Sequence, residues 1–237
     1  MSNPNVADAL RLGGFIPLST VDFPDMLAAV VFCQGCPWRC RYCHNPHLIP
    51  AEGGGTMNWP VVREILRRRR GLLDAVVFSG GEPSFQKALL PALREVKALG
   101  FKAALHTGGA YPELLAELLP ELDWVGFDVK ALASDYPTIT GVARSGVKNW
   151  QSLMRLLDSG VAFECRTTVH KNLISLSHLR VLAIQLAQAG VRRYVVQPVR
   201  GGAMCDSHLP DSAWMPDDTE FVLREIAPLF EEFQLRR

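Results

Sequence analysis

LAAVVFC, Leu27–Cys33, is apolar at every position, and it leads within two residues into CPWRCRYCHNP, Cys36–Pro46. An unbroken apolar run of this length reads as a strand covered on both faces, the pattern of a parallel sheet. Similar runs recur in DAVVFSG, FKAALHTGG, LDWVGFDVK, VAFECRTTV and RRYVVQPV. Between them lie stretches with helical spacing: NWPVVREILRRRR, QKALLPALREVKALG, PELLAELL, GVKNWQSLMRLLDSG, LSHLRVLAIQLAQAG and a last one near DDTEFVLREIAPLFEEF. Asn58 is a candidate cap, with Pro60 in the first turn, and Gly100 closes the second helix. About six strand–helix units follow one another, which predicts an α/β fold of parallel strands joined by right-handed crossovers. Either a doubly wound sheet or an incomplete barrel satisfies that pattern. Both place their chemistry at the C-terminal ends of the strands.

Composition sets outer limits. The chain has 237 residues, 48% of them hydrophobic, enough for a substantial core, and no linker or repeat divides it, so residues 1–237 read as one domain. A net charge of +1 gives no electrostatic case for nucleic acid or an anionic membrane as partner. The start, MSNPNVADALRLGG, lacks the features of a signal peptide, and no apolar run reaches the roughly 18 residues of a membrane span. A cytoplasmic location is therefore expected, where thiols stay reduced and clustered cysteines point to metal or redox chemistry rather than to a disulfide.

Cys33, Cys36, Cys40 and Cys43 fall within eleven residues. A zinc ribbon uses two knuckles held apart by a long spacer, which this spacing lacks. Cys33 belongs to the apolar strand, where a buried thiol behaves as a small hydrophobe. Cys36, Cys40 and Cys43 read better as a loop around one cubane iron–sulfur cluster, holding three irons and leaving the fourth open for chemistry. Cys165 and Cys205 stand alone and read as structural. Three cysteines suffice, so His44 and His47 are not assigned as ligands.

Other polar motifs fall at the ends of later strands. Gly80-Gly81-Glu82-Pro83 follows the second, His106-Thr107-Gly108-Gly109 ends the third, Asp128-Val129-Lys130 ends the fourth, and Arg166 lies in the fifth. Gly80 and Gly81 allow close approach of backbone to a ligand. Glu82 is either a turn residue favoured by a helix dipole or an acceptor for a bound cation. Asp128 and Lys130 are open to reading as a surface ion pair, and Arg166 as a structural strand residue or a bidentate donor to a carboxylate. Arg67–Arg70 reads as a solvated helix end.

With these residues in view, CPWRCRYC resembles the C-x3-C-x2-C signature of the radical S-adenosylmethionine (radical SAM) enzymes, with Tyr42 in the aromatic position before the last cysteine. SGGEP is similar to their second motif. GGFIPLSTVDFPDMLAAVVFCQGCPWRCRYCHNP resembles the activating proteins of glycyl-radical enzymes, and most of all those of anaerobic ribonucleoside-triphosphate reductase. YCHNP also occurs in pyruvate formate-lyase activating enzymes. The resemblance implies an incomplete (β/α)6 barrel and one [4Fe-4S] cluster on Cys36, Cys40 and Cys43. It further implies S-adenosylmethionine bound through Tyr42, Gly80, Gly81, Glu82, Thr107 and Arg166. An electron from a donor such as flavodoxin or ferredoxin would cleave the sulfonium bond to methionine and a 5′-deoxyadenosyl radical. Asp128 and Lys130, matching a D-x-K at the fourth strand end, are the implied catalytic pair near the substrate glycine. The family tends to show Asp-Thr-Asn-Gly where this chain has His106-Thr107-Gly108-Gly109, so only Thr107 carries over. Two other classes stay as alternatives: a small-molecule radical SAM enzyme such as a carboxydeazaguanine synthase, and a non-catalytic iron–sulfur or zinc protein. An electron carrier needs neither GGEP nor six units, and no extra domain to close over a small substrate is expected after the sixth unit.

Overall fold

A computed structural model of the chain describes residues 5–53, 55, 57–202 and 204–236. In chain order its elements are β1 (Leu12–Ser19), β2 (Ala28–Cys33), α1 (Trp59–Arg68), β3 (Ala75–Gly80), α2 (Leu89–Ala98), β4 (Lys102–Thr107) and α3 (Pro112–Leu118). There follow β5 (Trp124–Asp128), α4 (Tyr136–Thr140), α5 (Ser145–Ser159), β6 (Ala162–Val169), α6 (Leu176–Gln188), β7 (Arg193–Pro198), α7 (Pro216–Glu225) and β8 (Glu232–Leu235). The strands form a single sheet in the order β1 to β8. From β2 to β8 every neighbouring pair is parallel. The architecture is the expected α/β incomplete barrel, with β1 and β8 as its two edges.

Local chemistry accounts for the elements. Asn58 caps α1 by accepting the Val61 N–H at 3.1 Å, with Pro60 in the first turn, and Arg67 and Arg68 pair with Glu64 on its exposed end. Gly100 and Gly160 take positive φ after α2 and α5 and stop those helices. Alternation along the strands then divides the core in two. One set, with Ala29, Val31, Val76, Phe78, Ala103 and Leu105, packs under the helices. The other set, on the opposite face, joins Ala28, Val30, Ala75, Val77, Ala104 and Trp124 with Phe23 from the β1–β2 loop. Three of these are alanines, which leaves room for Phe23 to stack on Trp124 at 5.3 Å between ring centroids. Continuing along this second face toward the C-terminal strand ends, the same parity presents His106, Asp128 and Arg166.

Two edge strands depart from the sequence reading. β1 pairs antiparallel to β2, with register shifts around Gly13 and Pro17; two glycines and a proline mask its strand character, as expected of an edge. The C-terminal stretch read as a helix through Phe233 ends instead at Glu225 and continues through a 3-10 turn, Ala227–Leu229. Pro228 cannot continue an α-helical ladder. The next residues pair as β8 with β7, placing Phe233 opposite Tyr194. The six strands expected from the sequence are present, flanked by these two. Among the described residues no helix is long and apolar enough to cross a membrane.

Candidate functional site

The C-terminal strand ends surround a cavity of about 630 Å³. The loop after β2 enters it first. Its backbone is held from two sides: Cys36 N–H donates to Ile49 O at 3.0 Å, while Arg39 and Arg41 donate to Thr140 O and Ile139 O of α4 at 2.9 and 3.0 Å. Trp38, buried in this loop, meets Tyr136 of α4 edge-on with centroids 5.9 Å apart. Cys36, Cys40 and Cys43 all line the cavity, as do Tyr42 and His44. Cys33 does not; it is fully buried in β2. Cys165 is buried in β6, and Cys205 is exposed, its N–H donating to Cys43 O at 2.9 Å.

Gly80 and Gly81 form the next wall. Gly80 has φ +110°, and a Cβ there would lie 2.5 Å from the Cys33 backbone nitrogen, so no larger residue fits. Gly81 N–H donates to Cys33 O at 3.0 Å. Glu82 turns inward and is 2% exposed. Its Oε1 accepts from Ser84 N–H and Oγ–H and from Thr107 Oγ–H, at 3.2, 2.6 and 2.6 Å, and Oε2 accepts from Gly108 N–H at 2.9 Å. Burial pushes this carboxyl above the usual carboxylate range, and the four donors oppose the shift. Glu82 is thus both the cap of a turn and a buried carboxyl at the cavity wall.

Asp128, Lys130 and Arg166 form a partly buried ion cluster rather than a surface pair. Lys130 Nζ lies 3.2 Å from Asp128 Oδ2, and Arg166 Nε 3.1 Å from Oδ1, with the three side chains 13%, 11% and 31% exposed for Lys130, Arg166 and Asp128. Burial alone would raise the Asp128 pKa, but Lys130 and Arg166 outweigh it and hold the carboxyl below its ordinary value. Burial likewise disfavours the Lys130 ammonium, but Asp128 first, then Tyr42, Cys40 and Tyr136, together outweigh that and push its pKa well up. Arg166 Nη2 also donates to Gly126 O at 3.1 Å. The guanidinium lies so close over Gly126 that a Cβ would be 2.7 Å from it. Lys130 Nζ is 6.0 Å from the centre of the Tyr42 ring, within range of a cation–π contact. The Tyr42 hydroxyl is buried without a hydrogen-bond partner among the described residues.

His106 occupies the floor. Its Nε2 is 2.8 Å from the Asp22 carbonyl oxygen. A carbonyl can only accept, so Nε2 carries the hydrogen. Arg166 Nη1, 3.4 Å away, then packs against an N–H without bonding to it. Burial, reinforced by Arg166, pushes the His106 pKa down to about 3 and keeps the ring neutral.

The sequence motifs at the ends of β2 to β6 therefore meet in one cavity. Trp38, Gly126, Asp22 and the α4 carbonyls were missed. Gly126 carried a signal, as a glycine two residues before Asp128 on the same strand face, but Asp22 sits in a loop whose path is set only by the fold.

The donor set fits the groups the motifs imply. Burial raises the Cys36 thiol to about 12 and also raises Cys40, so these sulfurs are neutral thiols until a metal displaces their protons. Among the described residues no three His, Cys, Asp or Glu side chains gather closely enough to share one metal ion; a cubane makes no such demand, since each thiolate binds its own iron. Glu82 has no ion-pair partner among the described residues, and a buried carboxylate without one suits a cationic ligand.

Comparisons with known proteins agree with this chemistry. Residues 30–172 match the Radical SAM superfamily. The chain is 34% identical over 165 residues to MJ1227 of Methanocaldococcus jannaschii, whose name assigns it to the glycyl-radical enzyme activating enzymes, covering 66% of this chain and 67% of that one. It is also 34% identical over 142 residues to the pyruvate formate-lyase-activating enzyme of Clostridium pasteurianum, covering 57% of this chain and 59% of that one. The crystal structure of Streptococcus suis SuiB bound to S-adenosylmethionine shares the fold, with a TM-score of 0.69 at 15% identity over 86% of this chain and 48% of that one. The chain thus belongs to the radical SAM superfamily, whose enzymes work with S-adenosylmethionine and an iron–sulfur cluster, and its homologues there include glycyl-radical enzyme activating enzymes.

Proposed function

We propose that this chain, acting as one radical SAM domain over residues 1–237, installs a glycyl radical on a partner enzyme, and that the partner is an anaerobic ribonucleotide reductase. Cys36, Cys40 and Cys43 would hold one [4Fe-4S] cluster. When bound and reduced by a carrier such as flavodoxin or ferredoxin, the cluster supplies the electron that splits the sulfonium bond of S-adenosylmethionine. The observation that carries the reading is that three separate thiols and a buried carboxyl with no ion-pair partner among the described residues line one cavity.

The chain's own residues do the rest by placement. Gly80 and Gly81 bring backbone to the cavity wall, and Glu82 supplies negative charge for the amino group of the methionine moiety. Thr107 and Gly108 hold that carboxylate by two hydrogen bonds. Arg166, fixed by Asp128 and Gly126 O, supplies positive charge toward a carboxylate. Tyr42 walls the cavity beside the last cysteine. Asp128 and Lys130, both in the cavity wall, are the pair assigned to the substrate glycine, and their mutual pairing keeps both charged.

The test is anaerobic. Reconstituted protein, reductant, S-adenosylmethionine and an anaerobic ribonucleotide reductase should give the glycyl-radical doublet in electron paramagnetic resonance. Asp128→Ala or Lys130→Ala should diminish the doublet while iron content stays unchanged. A doublet only on a pyruvate formate-lyase-like enzyme would move the partner assignment. Turnover of a small carboxylated pterin without any protein radical would replace the activase reading altogether.

A further inference from the structure

Asn149 is fully buried on α5, and no part of the site described above uses it. Its Nδ2 donates to two backbone carbonyls, Gly108 O at 2.8 Å and Asp128 O at 2.9 Å. The paired register of β4 and β5 ends at Thr107 and Phe127. Past that pair, the side-chain amide of Asn149 bridges the two strand ends in place of a backbone ladder.

The other end of the amide is informative. Asn149 Oδ1 is buried with no hydrogen-bond partner among the described residues. An interior acceptor left unpaired is costly, so the side chain is of use here for its two donors. Its orientation is also determined. Turned over, the amide would set an oxygen against two carbonyl oxygens, none of which can donate.

Both bridged residues lie in the cavity wall. Gly108 is the residue whose N–H holds Glu82 Oε2 at 2.9 Å. Asp128 is the residue that carries Lys130 and Arg166. One amide therefore ties the backbone that holds Glu82 to the backbone that carries the ion cluster. We infer that Asn149 is a positioning residue for S-adenosylmethionine: it touches no ligand, and fixes the two walls between which the ligand's ammonium and carboxylate are held. This rests on reading the cavity as the S-adenosylmethionine site.

Ser152 offers an internal control. It is buried one turn along the same helix, and its Oγ–H donates to Gly109 O at 2.8 Å. Gly109 does not line the cavity; its N–H donates to Thr107 Oγ at 2.9 Å, so Ser152 reaches the Glu82 wall through a longer chain of bonds than Asn149 does. Loss of either side chain should lower stability, but only loss of Asn149 should change how the ligand is held.

The experiment uses anaerobically reconstituted, cluster-bearing protein. S-adenosylmethionine is titrated into wild type, Asn149→Ala and Ser152→Ala. Melting temperature, iron content and the ligand-induced change in the electron paramagnetic resonance spectrum of the reduced cluster are recorded for each. Losing two positioned hydrogen bonds should raise the dissociation constant of Asn149→Ala about tenfold and weaken the spectral change at fixed ligand. Ser152→Ala should keep wild-type affinity at a comparable loss of melting temperature. Asn149→Asp should bind worse still, because it sets a carboxylate against both carbonyls. Unchanged affinity in Asn149→Ala, or equal loss in both alanine variants, overturns the inference while leaving the site reading intact. Failure of wild type to bind S-adenosylmethionine overturns both. Should Asn149→Ala fail to fold, Asn149→Ser, which keeps one donor, replaces it; wild-type affinity there overturns the inference as well.

Discussion

At the level of single residues, His106 shows how burial converts a titratable side chain into a fixed one. Its ring is 11% exposed, capped by the Asp22 carbonyl, set edge-on to Trp124 at 5.7 Å and approached by the Arg166 guanidinium. Burial first, and Arg166 second, lower its pKa to about 3. In the unfolded chain the same imidazole takes up a proton near pH 6.5. Between those values the unfolded state binds the proton and the folded state does not, so stability falls as the pH drops from about 6.5 toward 3. At pH 5 the loss from this one group is roughly 2 kcal/mol. His106→Gln removes the titration and keeps an N–H for the Asp22 carbonyl. The melting temperature of that variant should therefore drop less between pH 7 and pH 5 than that of wild type, measured in parallel thermal scans. Parallel slopes would mean that His106 gains its proton inside the folded protein. What the ring holds is a loop carbonyl.

Among the elements, the legible ones were those with an unbroken apolar run or a clear helical period. β2 to β7 declare themselves because both faces are covered, and the site motifs followed from them, since chemistry at the strand ends is a consequence of parallel connection. The edges were not legible for the matching reason. β1 has one partner strand and carries Gly13, Gly14 and Pro17. β8 is four residues long, half-buried at Phe233 and Leu235 and exposed at Glu232 and Gln234, a pattern too short to distinguish from the end of a helix. α4 is five residues long and gains its place by docking to the cysteine loop, which no local pattern announces. β8 is nonetheless tied into the site. Arg236, just beyond it, donates N–H to Val196 O at 3.0 Å and reaches Glu164 on β6. Its Nη2 bonds Oε2 at 3.0 Å, and Nη1 lies 2.9 Å from Oε1 without the alignment of a hydrogen bond. Glu164 is buried, so Arg236→Ala leaves its carboxylate in the interior with no counter-ion among the described residues. The expected cost is on the order of 3 kcal/mol, seen as a fall of several degrees in melting temperature. Arg236→Ala combined with Glu164→Leu should recover much of it; no recovery would assign the loss to the detachment of β8.

Taken as a whole molecule, the site belongs to no single segment. The cysteine loop follows β2, the glycines end β3, Thr107 ends β4, Asp128 ends β5 and Arg166 lies on β6, so the cavity exists only while five strands are in register. A ligand that bridges these strand ends binds the folded chain and not the unfolded one, and must stabilise all of it through mass action. At a concentration about 100 times the dissociation constant, that linkage amounts to roughly 2.7 kcal/mol. For a chain of 237 residues it should raise the melting temperature by about 5–10 °C. The three cysteines that would hold the cluster line the same cavity as the proposed ligand site. Removing the cluster should therefore take most of the S-adenosylmethionine-induced shift with it, even though the protein walls remain. The comparison is anaerobic calorimetry with and without S-adenosylmethionine on cluster-bearing wild type, Cys36→Ala and Cys33→Ala. Wild type and Cys33→Ala should shift alike, because Cys33 is buried in β2 and does not line the cavity. Cys36→Ala should lose its iron and most of its shift. An equal shift in Cys36→Ala would place the S-adenosylmethionine site away from the three cysteines. Loss of the shift in Cys33→Ala would make a ligand of a thiol that the fold buries in β2, away from the cavity.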